Sequence, residues 1–417
     1  MIDFNSKKYK IFFILNLIYH YESISRTQLG DITEYRAATI SDLVKELLDK
    51  DLIKEKGSSN AGRGRNQILL ELNNDYLCAI GISIEPNEIM YIVSTIKGDI
   101  LKTEKQNIPK NSTPSYVVEL IISEITKLMD LYREKRILGI GIGDPGLVYK
   151  KGDYTVFSSQ FKSWENIHLK SIVKDAIKLP VRIESNDNLK ALGEKKYGLA
   201  KGISDFICLQ LGEGIGISIV ANNQLVKGAI GAAGELGHTI VTPNDKICIC
   251  GSYGCIEASA SLSAIIAELK RAVSLGSNTI IREFCKNPED ISLEDIKKAL
   301  DLKDKLCLNV VLQAANLIGI ALANAINILN PELVIFEGLM IELGDCFLNT
   351  IIQKVNENAL AITNKHLSFK ITELKDNAAS LGAVTLIFED FLKTDYFYKL
   401  CDKSSNETIS CEDDIDF

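Results

Sequence analysis

Three cysteines and one histidine make the sharpest chemical signal in the chain. His238 is followed by Cys248, Cys250 and Cys255, with Gly251 and Gly254 inside the last interval. One imidazole and three thiolates are the donor set of a closed tetrahedral Cys₃His site, in which zinc holds a fold together and no position stays open for water. The two glycines permit the tight turn that brings Cys255 back to the metal. The spacing predicts structural zinc on His238, Cys248, Cys250 and Cys255. A second signal lies far upstream, where Arg63 and Arg65 alternate with Gly62 and Gly64 in a polar loop. Such a tip suits contacts to a nucleic-acid backbone or minor groove.

The elements that must present the arginines occupy residues 1–70. Ser25 can cap a short helix, with Gln28 completing a capping box and Ile24 and Leu29 a hydrophobic staple. This helix should end near Ile32 or Thr33. A further helix over 36–50 carries Ile40, Leu43, Val44, Leu47 and Leu48 on one face and Arg36, Thr39, Asp42 and Lys45 on the other. A short turn between two such helices is a helix-turn-helix, whose last helix enters the major groove by its N-terminal residues. Strands over 52–56 and 67–72 flank the arginine loop and make it a wing. The pattern predicts a DNA-binding domain over 1–70, touching DNA through Arg36, Thr39, Lys45, Arg63 and Arg65, with Asp42 opposing them. The apolar run over 11–19 has the outline of an export signal, but Asn16 interrupts it and no small-residue cleavage site follows. It reads as a core helix, with Phe13, Leu17, Ile14 and Ile18 on one face.

The whole chain has 417 residues, 46% hydrophobic and 24% charged, with a net charge of −8. That length suggests two or three domains, and the composition excludes a disordered, collagenous or membrane-embedded chain. A net negative protein is repelled by DNA as a whole, yet the charge divides into +2 over residues 1–70 and −10 over the rest. No stretch reaches the roughly 18 uninterrupted apolar residues of a spanning helix, so a cytoplasmic protein with no membrane partner is expected. Residues 71–400 alternate strand and helix patterns and form the large α/β part. Residues 401–417 are acidic and aperiodic, predicting a disordered tail.

GAAGELGH (231–238) together with CICGSYGCIE (248–257) resembles the signature of the ROK family of repressors and sugar kinases. LGIGIGDPGLV (138–148), VRIESNDNLKALGE (181–194) and NPELVIFEG (330–338) are similar to further segments of that family. ISRTQL, ATISDLVKELL and GRGRN are similar to the winged helix-turn-helix of its repressor branch. The resemblance implies a winged helix-turn-helix followed by a two-lobed, actin-like α/β domain of the ribonuclease H-like class, with sugar bound between the lobes. It implies sugar contacts at Asn186, Glu235, His238 and Glu257, with His238 binding sugar through one ring nitrogen and zinc through the other.

The kinases of this family cradle ATP in an Asp-x-Gly-Gly-Thr-Lys loop. Here the matching stretch is Ser83-Ile84-Glu85-Pro86-Asn87-Glu88. A proline removes a backbone donor, and two carboxylates face phosphate with like charge. The family's Gly-Thr-Gly is Gly212-Glu213-Gly214, and its Gly-Gly-Gly is Glu337-Gly338-Leu339. The catalytic carboxylate falls on Asn186, or on Asp187 if the register moves by one. The resemblance thus implies a sugar-responsive repressor without kinase activity, bound to operator DNA as a homodimer or tetramer. A working kinase with a DNA-binding arm, or a repressor controlled by a partner protein, are the alternatives.

Overall fold

The computed structural model describes residues 6–59, 67–149, 154–158, 161, 163–241, 243 and 246–393. Arg63, Arg65 and the acidic tail lie outside the described residues.

Ser6 starts helix α1 (Lys7–Tyr21) by accepting a hydrogen bond from the Tyr9 amide. The helix buries Ile11, Ile14, Leu15 and Ile18. Phe13 and Leu17, expected on the same face, are only half-buried, because the i, i+3, i+4, i+7 stripe starts at Ile11. A short strand β1 (Ile24–Ser25) leads into α2 (Arg26–Thr33), which opens with the reciprocal Ser25–Gln28 capping box. Helix α3 (Ala37–Asp49) turns Ile40, Leu43, Val44 and Leu47 inward. Strands β2 (Ile53–Ser59) and β3 (Gln67–Leu72) pair antiparallel, with β1 on the other edge of β3. Three helices closed by this small sheet are the predicted winged helix.

The first lobe is a five-stranded sheet in the order β10-β7-β4-β5-β6. An antiparallel meander, β4 (Leu77–Ile84), β5 (Glu88–Thr95) and β6 (Ile100–Asn107), is followed by α4 (Pro114–Leu131) and by β7 (Arg136–Asp144), parallel to β4. Then come the hairpin β8 (Leu147–Val148) and β9 (Thr155–Phe157), α5 (Leu169–Ile177) and β10 (Val181–Ser185). Strand β4 is buried at every position and β5 at all but its first, as expected for strands covered on both faces. Helix α6 (Asn186–Tyr197) starts immediately after β10, with Ser185 as its cap. The apolar pattern alone places this start near Leu189. The cap moves it three residues earlier, and Asn186, Asp187 and Lys190 all enter the first turns.

The second lobe repeats the theme with the sheet order β13-β12-β11-β14-β15. Its elements are β11 (Phe206–Leu211), β12 (Ile215–Ala221), β13 (Gln224–Leu225), α7 (Glu257–Ala260), α8 (Leu262–Ser274), α9 (Ile281–Phe284), α10 (Leu293–Asp301), α11 (Lys305–Leu329), β14 (Leu333–Glu337), α12 (Asp345–Asn358), α13 (Ala361–Asn364) and β15 (Ser368–Ile371). Among the described residues α11 is the one helix long and apolar enough to cross a membrane. Its Val311, Ala314, Ala315, Ile318 and Leu322 instead sit in the second-lobe core.

The last helix, α14 (Asn377–Phe391), returns to the first lobe and packs on α6, β7 and β4. Its C-terminal residues Val384, Ile387, Phe388 and Phe391 share one hydrophobic core with Ile14, Leu47 and Leu72 of the winged helix. The small domain is therefore seated on the large one by apolar burial. Gly382 of α14 lies so close to α6 that an added Cβ would stand 1.8 Å from the Leu189 carbonyl oxygen. Backbone cannot yield as a flexible side chain does, so Gly382→Ala is expected to cost about 3 kcal/mol. Urea unfolding of the two proteins measures this; a variant within experimental error of the parent overturns it.

Candidate functional site

The sulfur and nitrogen atoms of His238, Cys248, Cys250 and Cys255 all lie within 4.8 Å of one another. Cys250 Sγ and Cys255 Sγ are 3.7 Å apart, and Cys248 Sγ is 3.5 Å from His238 Nδ1. A tetrahedral ion with metal–sulfur bonds of about 2.3 Å spaces its sulfurs at about 3.8 Å, close to the two separations above, so the four residues could hold one metal ion. The loop is shaped by Gly251 and Gly254, at φ of 88° and 80°. The Ser252 backbone N–H holds the Cys250 thiol down to about 7, in reach of the thiolate a metal needs.

His238 also faces the other way. Its Nε2 lies 3.7 Å from Glu235 Oε2, and both residues line a cavity of ≈ 350 Å³ between the lobes with Asn186, Asp187 and Glu257. Burial pushes the Glu235 carboxyl up, helped by Asp187 and Glu257 and opposed by His238. Glu257 opens the short helix α7 and accepts the Ile215 amide at 3.1 Å. The segment carrying Glu235 and His238 lies flat on β12: at Gly234, φ 103°, a Cβ would stand 1.9 Å from the Ile217 carbonyl oxygen. An imidazole and converging carboxylates in a small polar cavity can clamp vicinal hydroxyls through several charge-assisted hydrogen bonds.

Asn186 and Asp187 divide the work that the sequence left ambiguous. The Asn186 side chain, 6% exposed, donates Nδ2 to the Ile84 carbonyl at 2.7 Å and lies 3.3 Å from Glu85 Oε1. Asp187, with its side chain 46% exposed, pairs with Lys190 at 3.6 Å. Of the two, Asp187 carries the carboxylate into the cavity, and Asn186 ties α6 to the end of β4.

A larger cavity of ≈ 1300 Å³ adjoins the first, sharing Glu85, Lys190, Gln210 and Glu257 with it. Its walls are the three phosphate-loop counterparts. The Glu85 amide is spent on the Glu88 carbonyl at 2.9 Å, closing the β4–β5 turn, and the Gly212 amide on Gly214 at 3.0 Å. Burial raises the Glu85 carboxyl and pushes Glu337, at the end of β14, up to about 8. Between them stands Lys190, bonded to Gln210 Oε1 at 3.1 Å and 3.9 Å from Glu85. Burial disfavours its charge, but Glu85, Asp187 and Glu337 more than offset this and hold the ammonium protonated. Sequence reasoning passed over Lys190. Its i, i+3 spacing from Asp187 was visible, but its convergence with Glu85, Gln210 and Glu337 is made by tertiary structure.

On the winged helix, Arg36 is the exposed residue preceding α3, Lys45 is exposed and Thr39 half-buried on the same helix. Asp42 shares this surface, as expected. The wing-tip arginines Arg63 and Arg65 lie outside the described residues.

Residues 79–390 match the ROK family. The chain is 33% identical over 381 residues to the xylose repressor of Caldicellulosiruptor bescii, an alignment covering 91% of this chain and 95% of that protein. A solved ROK family transcriptional regulator, a homologue of the E. coli MLC protein, aligns with a TM-score of 0.81 at 26% identity over 95% of this chain and 99% of its own. A ROK family glucokinase from Streptomyces griseus, solved with glucose and AMPPNP, aligns with a TM-score of 0.65 at 26% identity, over 75% of this chain and 99% of its own. With the family matched across both lobes and the likeness to a regulator extending over nearly the whole length, this chain belongs to the ROK family.

Proposed function

We propose that the protein is a sugar-responsive transcriptional repressor of carbohydrate-utilisation genes. Residues 1–70 grip operator DNA, residues 71–400 bind the sugar, and zinc on His238, Cys248, Cys250 and Cys255 braces the sugar chamber. The observation that carries this reading is the contrast within one cleft. Glu235, His238 and Glu257 converge on a sugar-sized cavity, whereas Glu85, Glu213 and Glu337 line the space in which a kinase would hold phosphate. The similarity to a xylose repressor makes a pentose the first effector to test. Lobe closure around the sugar alters how the winged helix is presented, and the response is set by the difference in sugar affinity between the two conformations. A two-fold operator calls for a homodimer in the cytoplasm.

A gel shift on the protein's own upstream region, repeated with pentoses, hexoses and amino sugars, tests this reading. One sugar is expected to change the shift, and Glu257→Gln to abolish that change while leaving DNA binding intact. If no sugar alters the shift, the sensor reading fails; sugar-dependent ATP turnover would establish a kinase instead. Arg36→Ala should weaken binding on all sequences and lower the slope of log affinity against log salt by about 0.9, the signature of one lost phosphate contact. An unchanged slope removes Arg36 from the interface.

A further inference from the structure

Helix α6 has one end in the sugar chamber and the other against the winged helix. At its start, Asp187 lines the smaller cavity together with Glu235, His238 and Glu257 of the second lobe. Nine residues on, about 14 Å along the helix axis, Lys196 donates to the Tyr19 hydroxyl of α1 and lies 4.3 Å from the centre of its ring. Tyr197 makes a second contact. Its ring covers the turn between β5 and β6 so closely that a Cβ on Gly98, at φ 92°, would stand 2.4 Å from Tyr197 Cε1. The same turn is tied to the winged helix. Lys97 Nζ reaches Glu71 of β3, 5% exposed, at 3.0 Å, and the Lys97 amide donates to Asn74 Oδ1 at 3.3 Å. Asn74 Nδ2 donates to Asp99 Oδ2 at 2.6 Å.

We propose that α6 is the coupling element of the sensor, passing movement of the sugar chamber to the winged helix through Lys196 and Tyr197. Two observations select this helix. The first is that α6 and α14 form one body. A Cβ on Gly193 would stand 2.4 Å from the Ala378 carbonyl oxygen, and one on Gly382 closer still to Leu189, so backbone meets backbone and neither helix slides past the other. Helix α14 in turn shares its core with Ile14, Leu47 and Leu72. The pair therefore holds the winged helix by an apolar seat and by the two contacts at the end of α6. The second observation is where α6 begins. Sugar hydroxyls held by Asp187 on one side and by Glu235 and His238 on the other would join α6 to the second lobe. A ligand binding across that gap favours one placement of α6 over another, and a body that both sites bias is what coupling physically requires. Helix α6 passes on only what the cleft senses, so the proposal rests on the sugar-responsive reading.

The test is the fold-change in operator affinity that saturating sugar causes, measured by fluorescence anisotropy on the full-length protein. D-xylose is used first, then the other sugars of the panel. Tyr19→Phe and Lys196→Met each remove the hydrogen bond and leave the apolar seat in place, and circular dichroism confirms that both variants fold. Each is expected to reduce the fold-change about fivefold, the loss of one hydrogen bond made in only one of the two conformations. The double variant should lose no more than either single one, since both break the same contact. Sugar affinity of the DNA-free protein, read by calorimetry, should match the parent's. A merely structural contact would lower the urea midpoint and leave the fold-change as it was; that result overturns the proposal. Additive losses in the double variant overturn it too, because the two residues would then act separately. A parent that responds to no sugar overturns the proposal together with the reading beneath it. A responsive parent with equally responsive variants condemns the α6 contact alone.

Discussion

Replacing Cys255 by Ser is expected to release the metal and abolish the sugar response together. Cys255 is 1% exposed and sits 3.7 Å from Cys250 Sγ, so a shorter, harder hydroxyl leaves three ligands in a loop that is otherwise held by a few backbone hydrogen bonds. Structural zinc contributes folding free energy directly, and its removal from small sites costs on the order of 10 kcal/mol. Here the lobes have large cores of their own, so the loss should stay local. The ring of His238 is the link: with Nδ1 no longer fixed by the metal, Nε2 loses its aim at the sugar chamber. Elemental analysis should find zinc near one per chain in the parent and near none in the variant. The variant should still shift operator DNA, but no sugar should change the shift. Retained sugar response in a metal-free variant would show that the loop holds itself in place.

The second large effect is on stability against pH. Burial raises the folded pKa of Glu337 to about 8, from an ordinary value of 4.5. Folding therefore takes up a proton at this group between those two values. Stability that is fully present below the lower value is lost as pH rises towards the upper one, by about 1.4 kcal/mol per pH unit. Over the whole window this is on the order of 5 kcal/mol. Glu337→Gln keeps the shape and removes the titration. Its melting temperature should match the parent near pH 5 and exceed it increasingly up to pH 8, by several degrees. Parallel curves for the two proteins would show that Lys190 alone keeps Glu337 ionised.

Much of the candidate site was legible from short-range pattern. The capping box at Ser25 and Gln28, the apolar stripe of α3 and the clustering of His238 with Cys248, Cys250 and Cys255 each depend on residues close in sequence, and the structure shows all three. The start of α6 was misplaced because apolar periodicity does not see a polar first turn; the Ser185 cap decides it. The choice between Asn186 and Asp187 follows from that start, since neighbouring helical positions point about 100° apart. The buried cysteines Cys78, Cys208, Cys285 and Cys307 and the long apolar helix α11 gave no functional information, because core packing and interface packing ask for the same side chains.

Sequence by itself determined the winged helix, the two-lobed class and the gathering of His238 with Cys248, Cys250 and Cys255. Each rests on hydrogen bonds, glycine conformations or ligand spacings that close within a few residues, where the chain has few alternatives. Tertiary structure decided where the charges end up. It placed Lys190 from α6 beside Glu85 from β4, Gln210 from β11 and Glu337 from β14, and it fused the winged-helix core to α14. These depend on which desolvated groups meet across the fold, and the energy of a buried charge is set by its partners in space, not its neighbours in the chain.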